Sequence, residues 1–259
     1  MKVNEIYLGD SLELMKLIKD KSIDFIFADL PFGTTNCKWD TVIDLDKLWK
    51  QYKRIIKDNG AIVLFAQTPF DKVLGASNLE MLRYEWIWEK TQATGHLNAK
   101  RMPMKAHENL LVFYKKLPTY NYQKTTGHKR KISTAYHKRN TKKSDIYNKC
   151  DDFKSYDSTE RYPRSVIKFA SDKQKLNLHS TQKPLKLCEY IIKTYTNEGD
   201  LILDNTCGSG TSGVAAIKLK RNYIMMEKDE KIYNIAKKRI NNIKRYIIMN
   251  TILNEKHTS

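Results

Sequence analysis

Ser22-Ile23-Asp24-Phe25-Ile26-Phe27-Ala28-Asp29-Leu30-Pro31-Phe32-Gly33 is the stretch on which the reading of this chain turns. Its first seven residues form a short apolar run, the pattern of a buried parallel strand. A carboxylate, a proline-fixed turn and an aromatic ring follow where that strand ends. In open α/β sheets, ligands bind outside the carboxyl ends of the strands. Residues 29–33 are therefore either a plain βα turn, with Asp29 as a helix cap and Phe32 packed inward, or part of a site. A second stretch decides between these: Leu201-Ile202-Leu203-Asp204-Asn205-Thr206-Cys207-Gly208-Ser209-Gly210-Thr211-Ser212-Gly213. It also runs from an apolar strand into an acid, and then into a glycine-rich turn. The two stretches predict a chemistry half and a cofactor half of one site, with the chemistry half first in the chain.

The 259 residues suffice for a full core, as one domain with a sizeable insertion or as two small domains. Lys and Arg number 47 against 29 Asp and Glu, a formal charge of +18. Such an excess points to a polyanionic partner, with nucleic acid first. A general lysine bias would spread the charge evenly, and the charge is not even. Cys37, Cys150, Cys188 and Cys207 form no C-x-x-C pair, so neither a zinc site nor a disulfide framework is signalled. A reducing cytoplasm fits. No apolar run reaches about 18 residues and no signal peptide opens the sequence, so a soluble, unexported protein without a membrane partner is expected.

Strands are expected at 4–8, 23–28, 61–65, 84–88, 110–114, 201–204 and 223–226. Gly9-Asp10-Ser11 turns into a first helix carrying Leu12, Met15, Leu17 and Ile18. Leu45, Leu48, Trp49, Tyr52, Ile55 and Ile56 recur at helical spacing, and Asn59-Gly60 is the expected stop. Further helices are expected at 69–80, after Pro184, at 211–219, and through Ile232, Ala236, Ile240 and Ile243. Cys188 falls on the apolar face of the helix after Pro184 and is expected in the core. Seven strands with intervening helices predict a doubly wound, Rossmann-like α/β sheet. A polar, basic loop with Lys90, Gly95, Lys100, Arg101 and Lys105 separates the fourth and fifth strands.

Residues 115–178 break the pattern. They hold 17 Lys and Arg against 6 Asp and Glu, so +11 of the chain's +18 falls there. Tyr120, Tyr122, Tyr136, Tyr147, Tyr156 and Tyr162 are interleaved. A run of charge is commonly a solvated face. Basic residues mixed with aromatics between two α/β halves fit a segment that clamps phosphates or reads a groove. The expected division is a domain from 1–114 and 179–245, with a basic insertion at 115–178.

Glycines between a strand and a helix let a ligand approach the backbone, and the helix N-terminus favours anionic groups. Glu227 closes the next strand, where an acid can grip the ribose hydroxyls of an adenosine cofactor. Its other reading is a cap for the last helix. No G-x-x-x-x-G-K-[ST] occurs, which disfavours a P-loop ATPase.

Asp29-Leu30-Pro31-Phe32, His179-Ser180-Thr181-Gln182-Lys183-Pro184 and Asp204–Gly213 together resemble the amino-methyltransferases of restriction–modification systems and phages. They look like that family's (D/N/S)-P-P-(Y/F), H-P-T-Q-K-P and D-P-F-x-G-S-G-T-T motifs, in the circularly permuted order of its beta class. The resemblance spans about residues 4–243. It implies methyl transfer from S-adenosyl-L-methionine to an exocyclic nitrogen in double-stranded DNA, with 115–178 as the target-recognition region. A homodimer is left open. On this resemblance Asp29 and the carbonyl of Leu30 accept hydrogen bonds from the target amine. Pro31 stiffens the loop, and Phe32 stacks on a base flipped out of the duplex. His179, Ser180, Thr181, Lys183, Asp204, Thr206, Gly208, Gly210 and Thr211 would line the cofactor, with Glu227 at the ribose and Asp10 near the adenine ring. No metal is implied. Leu30, Ser180 and Asn205-Thr206 depart from the family's Pro, Pro and Pro-Phe. Aspartate at position 29 resembles the adenine-N6 enzymes, and cytosine N4 is the alternative. A catalytically inactive nucleic-acid-binding relative and an RNA methyltransferase are the other readings.

Overall fold

The computed structural model describes residues 1–33, 41–135, 155–171 and 182–257, with backbone alone for 251–257. Cys37, Cys150, Tyr136, Tyr147, the basic residues at 138–143 and His179, Ser180 and Thr181 lie outside the described residues. The chain runs β1 (Glu5–Leu8), α1 (Ser11–Met15), β2 (Ile23–Ala28), α2 (Leu45–Ile55), β3 (Ile56–Ala66), α3 (Phe70–Ala76) and β4 (Leu82–Thr94). A short 3-10 turn at His96–Asn98 precedes β5 (Lys105–Phe113). Then come β6 (Lys131–Ser133), β7 (Tyr156–Ser158), β8 (Val166–Phe169), α4 (Leu185–Tyr195), β9 (Leu201–Asp204), α5 (Thr211–Lys218), β10 (Asn222–Glu227) and α6 (Glu230–His257).

Among the described residues eight strands form one sheet in the order β1-β10-β9-β2-β3-β5-β4-β8. All its pairings are parallel except those of β5, which runs against both β3 and β4. The sheet is a doubly wound α/β sheet, as expected. All seven expected strands are present, and an eighth joins them. Val166–Phe169 pairs with Ile87–Lys90, although its short alternating pattern is hidden inside the basic stretch.

Period-two alternation explains the two cores. Along β2, Phe25 and Phe27 face one layer while Ile26 and Ala28 face the other. The first layer packs Leu187, Cys188, Ile191, Ile192 and Tyr195 of α4 with Ala215 and Ala216 of α5 and Ala236 and Ile240 of α6. The second packs Met15 of α1, Leu48, Trp49, Tyr52 and Ile55 of α2, and Phe70 and Leu74 of α3. Cys188 is buried, and burial pushes its thiol well above the ordinary range.

Asn59-Gly60 does not stop α2. The helix ends at Ile55, and both residues lie within β3. Gly60 is needed there for close approach, because a Cβ would lie 2.8 Å from the carbonyl oxygen of Asp24 on β2. Leu17 is also exposed, since α1 closes before it.

The chain divides into two compact units, 1–121 with 165–259, and 122–164. The smaller unit is narrower than the basic stretch 115–178. It holds the β6–β7 ladder, from Lys131↔Ser158 to Ser133↔Tyr156. Lys124 sits 5.9 and 5.4 Å over the rings of Tyr122 and Tyr162. Tyr120 belongs instead to the larger unit, 6.1 Å from the ring of Tyr195.

Candidate active site

Two neighbouring parallel strands, β2 and β9, meet where the winding of the sheet reverses. Their register pairs Phe25 with Ile202 and Ile26 with Leu203. The backbone N–H of Leu201 donates to Asp24 at 3.0 Å, fixing the start of β9 against β2. Asp29 and Asp204 thus leave the same edge of the sheet, at the switch point where doubly wound folds bind ligands. The two loops are tied directly: the hydroxyl of Thr206 donates to the carbonyl of Asp29 at 3.1 Å.

The chemistry loop is held by packing. Leu30 is buried among the α1 and α2 side chains, and Phe32 stacks on Phe70 at 5.3 Å between ring centroids. The aromatic ring is partly exposed, so it has both a packed face and an accessible side.

The glycine loop is built on Asp204. Its carboxylate accepts from the N–H of Thr206 at 3.1 Å and from the hydroxyl of Ser212. Burial dominates its titration and pushes the carboxyl up to about 7, with those two hydrogen bonds opposing the shift. Gly208 and Gly210 have φ of +52° and +77°, in the left-handed region that favours glycine. At Gly210 a Cβ would also lie 3.2 Å from that of Ala236 on α6, whereas at Gly208 it would meet open space. Thr211 accepts from Arg239 at 2.9 Å, and Arg239 also reaches Ser209 at 3.2 Å.

Glu227 faces the glycine loop. One carboxylate oxygen accepts from the N–H of Gly208 at 2.9 Å, and the other from the N–H groups of Lys228 and Asp229 at 2.8 and 2.9 Å. The cap of α6 is Asp229, which accepts from Ile232 at 3.0 Å. Asp10 lies on the adjacent β1–α1 turn, accepting from Leu12 at 3.0 Å and from Lys228 at 3.2 Å. Burial works against its ionisation, but these bonds and the charge of Lys228 hold its carboxyl below the usual value.

The structure therefore brings Asp29, Leu30, Pro31 and Phe32 together with Asp204, Thr206, Gly208, Gly210, Thr211, Glu227 and Asp10 along one edge. Lys183 joins the chemistry loop: its ammonium lies 3.1 Å from Asp29 and 2.7 Å from Glu108. Lys90 pairs with the other oxygen of Glu108 at 2.7 Å. Sequence reasoning missed Glu108, whose only signal is a charge two residues before the apolar run Leu110–Phe113, and saw Lys90 only as loop charge. It also missed the buried pair in which Tyr52 donates to Asn205 at 2.5 Å. Asn205 stands where the family motif has proline. Among the described residues no cluster of side chains could hold a metal ion.

Residues 23–238 match the DNA methylase family. The chain is 29% identical to the type II methyltransferase M.HinfI of Haemophilus influenzae, over 93% of this chain and 69% of that protein. It is 27% identical to M2.MboI of Moraxella bovis, over 92% and 88%. Among solved structures, the M1.HpyAVI–SAM complex superposes with a TM-score of 0.62 at 27% identity, covering 92% of this chain and 98% of that one. The cytosine-N4-specific PvuII DNA methyltransferase shares the fold, with a TM-score of 0.64 at 17% identity over 94% and 92%. A doubly wound sheet with both halves of the site at its switch point, matched over 23–238, makes this chain a member of the DNA methylase family.

Proposed function

We propose that the protein transfers the methyl group of S-adenosyl-L-methionine to the N6 amino group of adenine, in a base flipped out of double-stranded DNA. The observation that carries this reading is the bond between Thr206 of the glycine loop and Asp29 of the chemistry loop, which sets the two halves side by side. The cofactor fits the residues present. Gly208 leaves open space where a side chain would stand, and Asp204 offers a buried carboxylate to the cationic methionine end. Glu227 stands where the ribose would lie, with Asp10 on the next turn. Thr211, and His179, Ser180 and Thr181 by resemblance, complete the proposed cofactor set, whereas Lys183, grouped with them by resemblance, is paired with Asp29 and Glu108.

The cofactor supplies an electrophilic methyl on a sulfonium. The protein's part is positioning and charge stabilisation. Asp29 and the Leu30 carbonyl accept from the amine and expose its lone pair, while Phe32 stacks on the base. The amine nitrogen takes the methyl as the carbon–sulfur electron pair returns to sulfur, and a proton then leaves the nitrogen for solvent. No covalent nucleophile is required.

The basic stretch 115–178 is the proposed DNA-recognition region. Supporting this, the smaller unit has a cleft of about 290 Å³ lined by Lys131, Ser133, Tyr156, Arg161 and Tyr162. A role in restriction–modification, in the cytoplasm of a bacterial or phage-infected cell, accords with the bacterial type II relatives. Among the described residues no helix is long and apolar enough to cross a membrane. Mass spectrometry of nucleosides from treated duplex DNA tests the assignment. N6-methyladenine is expected. N4-methylcytosine alone would overturn the choice of base, and no methylated base would overturn the reaction.

A further inference from the structure

Four charged side chains form one line beneath the chemistry loop: Lys90, Glu108, Lys183 and Asp29. The ion pairs measure 2.7, 2.7 and 3.1 Å in turn. Lys90, Glu108 and Lys183 side chains are only 10–12% exposed, whereas Asp29, at the end, is 29% exposed. Alternating signs make the line neutral as a whole. Removing charges from water is costly, and nothing about fold stability requires four of them here. A buried line of this kind that ends at a partly exposed carboxylate is instead suited to holding that carboxylate.

We propose that Lys183, backed by Glu108 and Lys90, is a positioning residue for Asp29 and not a cofactor ligand. This rests on the reading that Asp29 receives the target amine. The ammonium lies 3.1 Å from one carboxylate oxygen of Asp29, an ion pair that restrains where that carboxylate can sit. It also lies 4.7 Å from the ring centroid of Phe65 and 5.6 Å from that of Phe32. One cation thus braces both chemistry residues, the acceptor and the stacking ring. Glu108 and Lys90 are on paired strands, with Trp88 opposite Glu108 in the β4–β5 register. The anchor of Lys183 is therefore sheet rather than loop. Burial alone would lower the ammonium's affinity for its proton, but the carboxylates of Asp29 and Glu108 overcome it and keep Lys183 charged. The same two lysines overcome burial at Glu108 and hold its carboxyl below the usual value. Lys183 is thus a fixed cation and not a proton acceptor for the reaction.

The groups facing Asp29 set what its loss would do. Among the described residues Lys183 is the adjoining cation, and the carboxyl of Asp204 at the end of β9 interacts with Asp29 through space, while the buried thiol of Cys188 stays neutral. Glu108 acts through Lys183. Without Lys183, Asp29 would stand among carboxylates, and protonation would silence it at higher pH.

The test measures Lys183→Met by single-turnover methyl transfer at saturating DNA and S-adenosyl-L-methionine, and by calorimetry with the cofactor alone. The expected result is a rate about 100-fold lower, the scale of a misplaced catalytic group. Cofactor affinity should stay within about twofold, and the acid limb of the rate profile should move to higher pH. The double variant Lys90→Met with Glu108→Gln removes one charge of each sign. It tests the backing residues, and it carries the test should Lys183→Met fail to fold. Its rate should fall about tenfold with cofactor affinity again retained. Lost cofactor affinity with an unchanged rate at saturation would make Lys183 a cofactor ligand and overturn the proposal. So would unchanged rates in both variants while the wild type methylates. Wild-type protein that transfers no methyl group to any base would overturn the functional reading and this assignment with it.

Discussion

Replacing Asp204 by Asn should change both stability and cofactor binding, in a pH window that the structure defines. Asp204 is 5% exposed, and burial pushes its carboxyl from 3.8 to about 7. The folded state therefore holds a proton where the unfolded chain has lost it. That contribution to stability is fully present below pH 3.8 and is lost as pH rises to about 7. At about 1.36 kcal/mol per pKa unit, the whole span corresponds to about 4 kcal/mol. Asparagine keeps an acceptor for the N–H of Thr206 and has no such titration. Denaturant unfolding of both proteins without cofactor, from pH 5 to pH 8.5, isolates the effect, because other titrating groups cancel in the difference. The variant should gain about 2–3 kcal/mol on the wild type between pH 5 and 7, then run level. The cationic methionine end should want the carboxylate ionised, so wild-type affinity should fall about tenfold per unit below pH 7. The variant should bind weakly with no such slope. A difference curve flat from pH 5 to 8.5 would refute the buried, proton-holding Asp204, and pH-independent wild-type binding would remove it from the cationic end of the cofactor.

Asp29→Ala should abolish methyl transfer while calorimetry still finds cofactor bound, since the proposed role of Asp29 is on the base; lost cofactor binding would reverse the two halves. Glu227→Ala releases the N–H groups of Gly208, Lys228 and Asp229, and should weaken cofactor binding by about 1–3 kcal/mol in the same measurement. In the smaller unit Arg130 is paired with Asp157 and Lys124 with Glu160, so Lys129 and Lys131 are better probes of DNA binding. Lys129→Glu with Lys131→Glu should flatten the plot of log affinity against log salt by about 0.9 for each phosphate no longer neutralised, and an unchanged slope would mark a solvated face. Tyr52→Phe strands the buried acceptor of Asn205 and should cost about 1–3 kcal/mol in denaturant unfolding.

Strands such as Phe25–Ala28, Ile62–Phe65 and Ile202–Leu203 were legible in the sequence, because apolar runs too short for a helix and bounded by turn residues read as strands buried on both faces. The glycine turn was legible for a similar reason. Backbone at positive φ needs glycine at 208 and 210, and a motif defined by backbone geometry survives in one dimension. Three things were not legible. The strand Val166–Phe169 alternates exposed and half-buried positions over only four residues inside a basic stretch, too short a run to stand out. Gly60 looked like a helix stop because a close approach to another strand leaves the same residue type as a C-cap. The line Lys90–Glu108–Lys183–Asp29 joins four separate segments, and its pairings span 18, 75 and 154 positions of sequence. Charged side chains carry no periodicity that announces a partner. Only the sheet order, which sets β2 beside β9 and β5 between β3 and β4, decides which carboxylate each lysine meets. The sequence by itself determined that the chain has a glycine turn after one acid-ended strand and an Asp-Leu-Pro-Phe turn after another on a doubly wound sheet, because local backbone demands and burial write those features into residue type. The tertiary structure decided what braces the chemistry turn, because ion pairing in a buried site depends on distance in space and not along the chain.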